Sequence, residues 1–531
     1  MKKILFSIAL LVALGAALHA QPAGPITAGE HTRVNTVYGT VEGYLDDDVY
    51  TFKGIKYAKA DRFMPPQDPD CIEGVRMCKI YGPQAPQNET LNWNDANSQR
   101  DYSFGNNFVI EPMSEKDCLV LNVWTKGIND GRKRPVFVWI HGGGFNGGSA
   151  HDLPCYEGRS LADKGDIVVV SLNHRLNVLG FLDLTALGGK YSESVNLGMQ
   201  DIVKALEWVN KNIAKFGGDP GMVTIAGQSG GGRKVSTLCA MPSAKGLFQR
   251  AIVQSGSALE FSESKYSQAI GLLTLKYLGI SPAEAPSKLD SVPYDDLVAA
   301  GDKAIADVRK QYGADAKLRM VWCPSVGNKY LPTQLFVPNA PEVSKDVTMM
   351  IGCNYNELHF DISSPLDRAG VIKELENRMG KAQAARYLAG FEKVYPGKPV
   401  TDVLFVDTFY RPDALTQARA KSRLGGAPAY VYFFTWKPEG NVLGASHGME
   451  LPFMFNNVAL QREMTGGTER AYKFQEMVSD AWLSFIKTGK PAAKGMPEWE
   501  AFNEKDCPTM ILDDECRLEY NFDKAFIESL K

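Results

Sequence analysis

The chain has 531 residues, a formal net charge of −3 and 44% apolar residues. Charge so close to balance leaves no basic footprint for nucleic acid. The apolar share is that of a soluble globular protein, and although the length permits several domains, large α/β enzymes run this long as one.

Residues 1–20 have the make-up of an export signal: Lys2-Lys3, an apolar stretch from Ile4 to Leu18, and Ala20 before Gln21. No cysteine sits there to take a lipid, and no later stretch approaches the roughly 18 apolar residues of a membrane span. The expectation is a signal peptide over 1–20, one domain over 21–531, a periplasmic or secreted location, and no membrane attachment once the signal is removed. Tyr38–Gly43 and Val49–Gly54 read as a small antiparallel hairpin. Residues 82–114 are polar and rich in Asn and Pro, a surface loop; the sequon Asn88-Glu89-Thr90 within it is discounted. Strands then alternate with helices. Cys118–Trp124 and Pro135–Ile140 are strands, Leu161–Gly165 is helical, and Ile167–Leu172 is the β-branched run of a strand buried on both faces. Met199, Ile202, Val203, Leu206, Val209, Ile213 and Phe216 recur at helical spacing. Met222–Ala226 and Ala251–Gly256 are further strands, followed by helical text over 262–320, a strand at 347–352, and helical text over 366–394. Ala429–Phe434 is a late strand and Ala471–Ile486 a late helix. The alternation implies an α/β protein with a large, mostly parallel central sheet, helices on both faces, and the two helical excursions as cap insertions. The site then falls at the carboxyl ends of the strands.

Two motifs fall there. Gly227-Gln228-Ser229-Gly230-Gly231-Gly232 joins a strand to a helix. Gly227 and Gly231 flank Ser229 at positions where a side chain would collide with a sharp bend. A glycine-rich turn of no chemical use has the same letters, but the strand before and the helix after favour a nucleophile elbow. A serine hydroxyl needs a base to take its proton, and histidine titrates in the right range. His31, His141, His151 and His174 precede the elbow. His447, in the small-residue loop Gly444–Glu450 after the late strand, fits the chain order Ser, acid, His. The acid then lies between, just past a strand: Glu357 meets this, to fix the imidazole tautomer and stabilise the imidazolium. Glu450, so close to His447, reads as a brace for the loop, and His359 is too close to Glu357 in sequence to pair with it. His141-Gly142-Gly143-Gly144 supplies a backbone oxyanion hole, with the N–H groups of Gly143, Gly144 and Gly230 as donors. A phosphate loop would show GxGxxG or a Lys-Ser/Thr after the glycines, and neither is present.

With these motifs in order, the sequence resembles the type-B carboxylesterase family, the cholinesterase-like branch of the α/β-hydrolases. The resemblance covers nearly all of the chain beyond residue 20. It is carried by Arg62-Phe63, Ser114–Trp124, His141–Phe145, Asn173-His174-Arg175-Leu176, Phe216–Pro220, Gln254–Ser257 and the loop at His447. It implies hydrolysis of small-molecule carboxylic esters through an acyl-serine intermediate, with no cofactor and no metal. It also implies two structural ion pairs, Arg62 with Glu115 and Arg175 with Asp201. Four departures stand out: Gln228 where the family usually has Glu, Gly230 where it usually has Ala, the segment Glu115-Lys116-Asp117-Cys118 longer by one residue, and Ala85 where the family places the cysteine that pairs with Cys118. Two other readings compete: a non-catalytic binding protein on the same fold, against which the complete Ser229/Glu357/His447 set speaks, and a thioesterase or amidase using the same site.

None of the nine cysteines shows CxxC spacing, which argues against a zinc or redox motif. Cys507 and Cys516 flank a short strand that holds them apart unless the chain turns back. Cys71 and Cys78, with Gly74 between them, are the favoured local bridge, and Cys118 is expected to be unpaired.

Overall fold

A computed structural model describes residues 24–87, 112–318, 320–357, 366–439 and 444–530. The leader, the sequon at 88–90, most of the loop over 82–114 and His359 lie outside the described residues. In chain order the strands are β1 (Arg33–Thr36), β2 (Gly39–Glu42), β3 (Tyr44–Asp46), β4 (Val49–Lys56), β5 (Val75–Met77), β6 (Val120–Thr125), β7 (Arg134–Ile140), β8 (Val168–Leu172), β9 (Gly218–Gln228), β10 (Arg250–Gln254), β11 (Ser262–Glu263), β12 (Ser325–Val326), β13 (Thr348–Asn354), β14 (Ala429–Phe434), β15 (Pro508–Leu512) and β16 (Arg517–Tyr520).

An 11-stranded sheet runs in the order β16-β15-β14-β13-β10-β9-β7-β8-β6-β4-β3. From β15 to β8 every neighbour is parallel, and antiparallel strands finish both edges. Period-2 alternation divides the core. Val136, Val138 and Ile140 of β7 face one apolar cluster, while Phe137 and Trp139 face the other. The helix Leu197–Asn212 covers the first face with Met199, Ile202 and Leu206. The helix Glu469–Thr488 covers the second with Phe474, Val478 and Trp482. The two helical insertions attach to different cores. Ser264–Tyr277 and Tyr294–Tyr312 extend the first, and Arg368–Met379 and Lys381–Val394 extend the second.

Two expectations need correction. The hairpin between 38–43 and 49–54 does not form: β2 turns back on β1, and β4 turns back on β3. Asp47, between β3 and β4, takes a φ of 52°, a left-handed conformation that suits a tight hairpin and that Asp tolerates. The Cys71–Cys78 bridge is also absent, and all nine cysteines are free. Residues Val75–Met77 run extended beside β2 as β5, which leaves Cys71 exposed and carries Cys78 into the core, where burial pushes its thiol up to about 11. Cys118 is unpaired as expected.

Both expected ion pairs form. Arg62 donates to Glu115 at 2.8 and 2.5 Å. Arg175 is almost fully buried against Asp201, donating from its backbone N–H and from Nε and Nη2 at 3.0, 2.8 and 2.7 Å. Its Nη1 holds the Met64 carbonyl at 2.7 Å. The pair therefore ties the loop after β8 to the helix Leu197–Asn212 and to the N-terminal segment. Removing one partner strands a buried charge. Asp201→Asn is expected to cost about 3–5 kcal/mol of stability, read as a lowered thermal midpoint; a midpoint within a degree of wild type would contradict this.

Candidate active site

The site is built where β7, β9, β13 and β14 end. Ser229 follows β9 directly, with φ 58° and ψ −123°, a conformation that strains any residue with a side chain. Two backbone hydrogen bonds hold it there. Its N–H donates to the Gln254 carbonyl of β10 at 2.8 Å, and its carbonyl accepts the Arg233 N–H at 3.0 Å. The glycines supply the room: a Cβ on Gly231 would lie 2.1 Å from the Ile140 carbonyl oxygen, and one on Gly227 would lie 2.5 Å from the Gly231 backbone. Ser229 is the partly exposed residue among buried neighbours, at the start of the helix Gly230–Leu238.

Glu357 and His447 meet because β13 and β14 are parallel neighbours and their following loops are stitched together. The Asn356 N–H donates to the Ala445 carbonyl at 2.9 Å, and the His447 N–H to the Glu357 carbonyl at 3.2 Å. The Glu357 side chain is fully buried. One oxygen accepts the Asn354 N–H at 2.7 Å and the other lies 2.5 Å from His447 Nδ1. A carboxylate only accepts, so Nδ1 carries the hydrogen and Nε2 is free to act as a base. Burial alone would depress the His447 pKa, but the charge and hydrogen bond of Glu357 outweigh it and raise it above the ordinary value. Glu450 points elsewhere: it accepts from Gln254 and Asn354 at 3.1 and 2.6 Å, bracing the loop, and burial pushes its carboxyl up to about 7.

Among the described residues Ser229 and His447 share no direct hydrogen bond; Tyr410 packs beside His447. Its ring stacks on the His447 imidazole, with centroids 5.1 Å apart and planes 26° from parallel. Asp407 holds Tyr410 in place by accepting the N–H groups of Phe409, Tyr410 and Arg411 at 3.0, 3.0 and 2.5 Å. Sequence reasoning missed Tyr410. The available signal was Asp407, placed to fasten the first turn of the helix Tyr410–Leu424.

The loop after β7 turns through left-handed glycines, Gly143 at φ 77° and Gly144 at φ 63°. Lys234, fully buried in the helix after Ser229, donates to the carbonyls of His141 and Gly142 at 3.0 and 3.4 Å. The His141 ring adds a hydrogen bond from Nδ1 to the Gly142 carbonyl at 3.0 Å. The two ends of a trans peptide point opposite ways. Holding the Gly142 carbonyl inward therefore turns the Gly143 N–H outward, where Gly143 is exposed. Burial lowers the Lys234 pKa to about 7. Gly144 lies against Gly230, so the glycine loop packs on the residue that follows Ser229.

A family model described as "Carboxylesterase family" matches residues 30–527. The chain belongs to the carboxylesterase family. It is 33% identical to the para-nitrobenzyl esterase of Bacillus subtilis (strain 168), with 92% of this chain and 96% of that protein covered. It is 30% identical to liver carboxylesterase 1 of Oryctolagus cuniculus, covering 91% and 89%. Among solved structures, an esterase from the anaerobe Clostridium hathewayi, described as able to hydrolyze aliphatic aromatic polyesters, superposes with a TM-score of 0.85 at 34% identity, covering 95% of this chain and 99% of that one. The carboxylesterase is thus an α/β-hydrolase and a carboxylic ester hydrolase whose substrates are small-molecule esters. No helix among the described residues is long and apolar enough to cross a membrane.

The approach of Gly144 to Gly230 has a measurable consequence. A Cβ on Gly230 would lie 2.2 to 2.5 Å from the oxygen, nitrogen and Cα of Gly144, so Gly230→Ala must push the glycine loop away from Ser229. Ester turnover is expected to fall by about 100-fold, the scale of losing one oxyanion donor, with the circular dichroism spectrum unchanged. Turnover within a factor of two of wild type would contradict the close packing of the two backbones.

Proposed function

We propose that the enzyme cleaves carboxylic esters through an acyl-serine intermediate on Ser229, with His447 as base and acid, Glu357 as its orienting carboxylate, and the N–H groups of Gly143, Gly144 and Gly230 as the oxyanion hole. The observation that carries this reading is the buried Glu357–His447 contact at 2.5 Å, one ring away from a strained, accessible serine. Ser229 Oγ attacks the ester carbonyl carbon while His447 Nε2 takes its proton. The carbonyl oxygen becomes an oxyanion facing those amides. Collapse expels the alcohol, which takes the proton from His447. Water then repeats the sequence on the acyl-serine, releasing the acid and restoring Ser229. Tyr410 keeps the imidazole plane fixed through both transfers. We also read residues 21–531 as a single catalytic unit exported by residues 1–20.

Ser229→Ala and His447→Ala are each expected to lower kcat by several orders of magnitude, Glu357→Gln by less, and the Ser229→Ala/His447→Ala pair by little more than either alone. Multiplied losses would show that the residues do not act together. The base must be neutral to work, and its pKa is raised. The acidic limb of kcat/KM is therefore expected above the ordinary histidine value of about 6.5, and Glu357→Gln is expected to move it down. An acidic limb below about 6 in the wild type would contradict the Glu357–His447 coupling. Export makes its own forecast: intact-mass analysis of the extracytoplasmic protein should give a chain beginning at Gln21, and a chain retaining Met1 would contradict it.

A further inference from the structure

We propose that Arg233 and the cavity it lines form an anionic subsite, so that the enzyme favours esters carrying a free carboxylate on one arm. The proposal rests on the reading of Ser229 as the nucleophile and names the substrate class of that site. Arg233 is one helical turn beyond Ser229, and its backbone N–H donates to the Ser229 carbonyl. Positions four apart share a helix face, so the guanidinium stands on the Ser229 side of the helix. There it lines a cavity of about 110 Å³ with Leu259, Phe261, Met320 and Val337.

Residues of the cavity pack beside the candidate active site. Met320 Cε is 3.0 Å from where a Cβ on Gly144 would lie. Phe261 packs edge-on to Phe145, the residue after the glycine loop, with centroids 5.8 Å apart. The Arg233 guanidinium lies 5.7 Å from the Phe409 ring, and Phe409 stands edge-on to Tyr410.

The charges around the cavity decide the ligand. Glu260 is paired with Lys317 at 2.6 Å, and Asp413 has a partner of its own. Arg233 forms no ion pair among the described residues, and its guanidinium lies near the face of Phe409. It is partly exposed and, among the described residues, is the charge of the cavity without an ion-pair partner, beside the apolar side chains of Leu259, Phe261, Met320 and Val337. An uncharged substrate arm filling that space would desolvate the guanidinium with nothing in return. A carboxylate would accept two parallel N–H bonds from it. An ester with an apolar spacer and a terminal carboxylate, such as the half-ester of a dicarboxylic acid, satisfies both the walls and the charge.

Two ester pairs test this: 4-nitrophenyl hydrogen glutarate against 4-nitrophenyl butyrate, with the charge on the acyl arm, and 3-carboxyphenyl butyrate against phenyl butyrate, with the charge on the alcohol arm. In at least one pair, the wild-type kcat/KM ratio of charged to uncharged ester is expected to fall about 10- to 100-fold in Arg233→Leu, the worth of a charge-assisted hydrogen bond. Arg233→Lys should recover part of the ratio. A general disturbance of the fold lowers both esters together and leaves the ratio unmoved. In the wild type alone, glutarate should inhibit butyrate-ester hydrolysis competitively and more weakly at high salt, while glutaramide should not. Unchanged ratios in both pairs, or equal inhibition by glutarate and glutaramide, would overturn the subsite and leave the Ser229 reading standing. A wild type that turns over none of the four esters would overturn both.

Discussion

The site depends on how closely three backbones approach one another at the end of β9. The elbow at Ser229, the loop after β7 and the start of the helix Gly230–Leu238 meet at distances that leave no room for a Cβ. Glycines 227 and 231 are therefore structural requirements of the serine's position, and Gly230 allows the close approach of Gly144. That packing accompanies a φ of 58° at Ser229 and brings the glycine loop against the residue that follows the serine. The strain is carried by the rest of the fold: parallel strands on both sides of β9, each saturating its neighbour's hydrogen bonds, and two apolar cores that clamp the sheet from opposite faces.

Around this packing the electrostatics divide the work. Glu357 is fully buried and fastened by a backbone amide, so its charge is spent on one neighbour, His447. Lys234 lies under the glycine loop and holds carbonyls rather than carboxylates. It acts on the loop's orientation. Glu450, Gln254 and Asn354 lace the loops after β10, β13 and β14 together. With Gln228 in place of the family's usual glutamate, no carboxylate adjoins Ser229 in the chain. Arg233 then contributes the nearest charge along the elbow helix, and it is positive.

Much of this was legible in the sequence, for identifiable reasons. Ile167–Leu172 and Ala429–Phe434 are short apolar runs rich in β-branched and aromatic residues, and both are central strands. The spacing from Met199 to Phe216 is a helical stripe, and it faces the core. The elbow, the glycine loop and His447 were readable because glycine and histidine are distinctive letters in a fixed chain order, and Glu357 followed from its place after a strand. What was not legible depends on long-range pairing. The strands at 39–42 and 49–56 look like partners, but each has a nearer one across a tight turn. Cys71 and Cys78 are close in sequence, and β5 holds them apart by pairing with β2. Tyr410 reaches the site only because the helix Tyr410–Leu424 docks against the loop of His447. Lys234 reads as an exposed helical cation, yet the elbow helix is covered on the side it faces. Arg233 gains its meaning only from Met320 and Phe261, residues of a distant insertion that close a cavity over it.

The proposed chemistry depends on Ser229 as the one activated nucleophile. The most direct measurement is reaction of the intact enzyme with a fluorophosphonate, followed by peptide mapping. The account predicts one adduct per chain on the peptide containing Ser229, formed in step with loss of esterase activity, slowed by His447→Ala and absent in Ser229→Ala. An adduct on a different serine, or full inactivation with Ser229 unmodified, would contradict it.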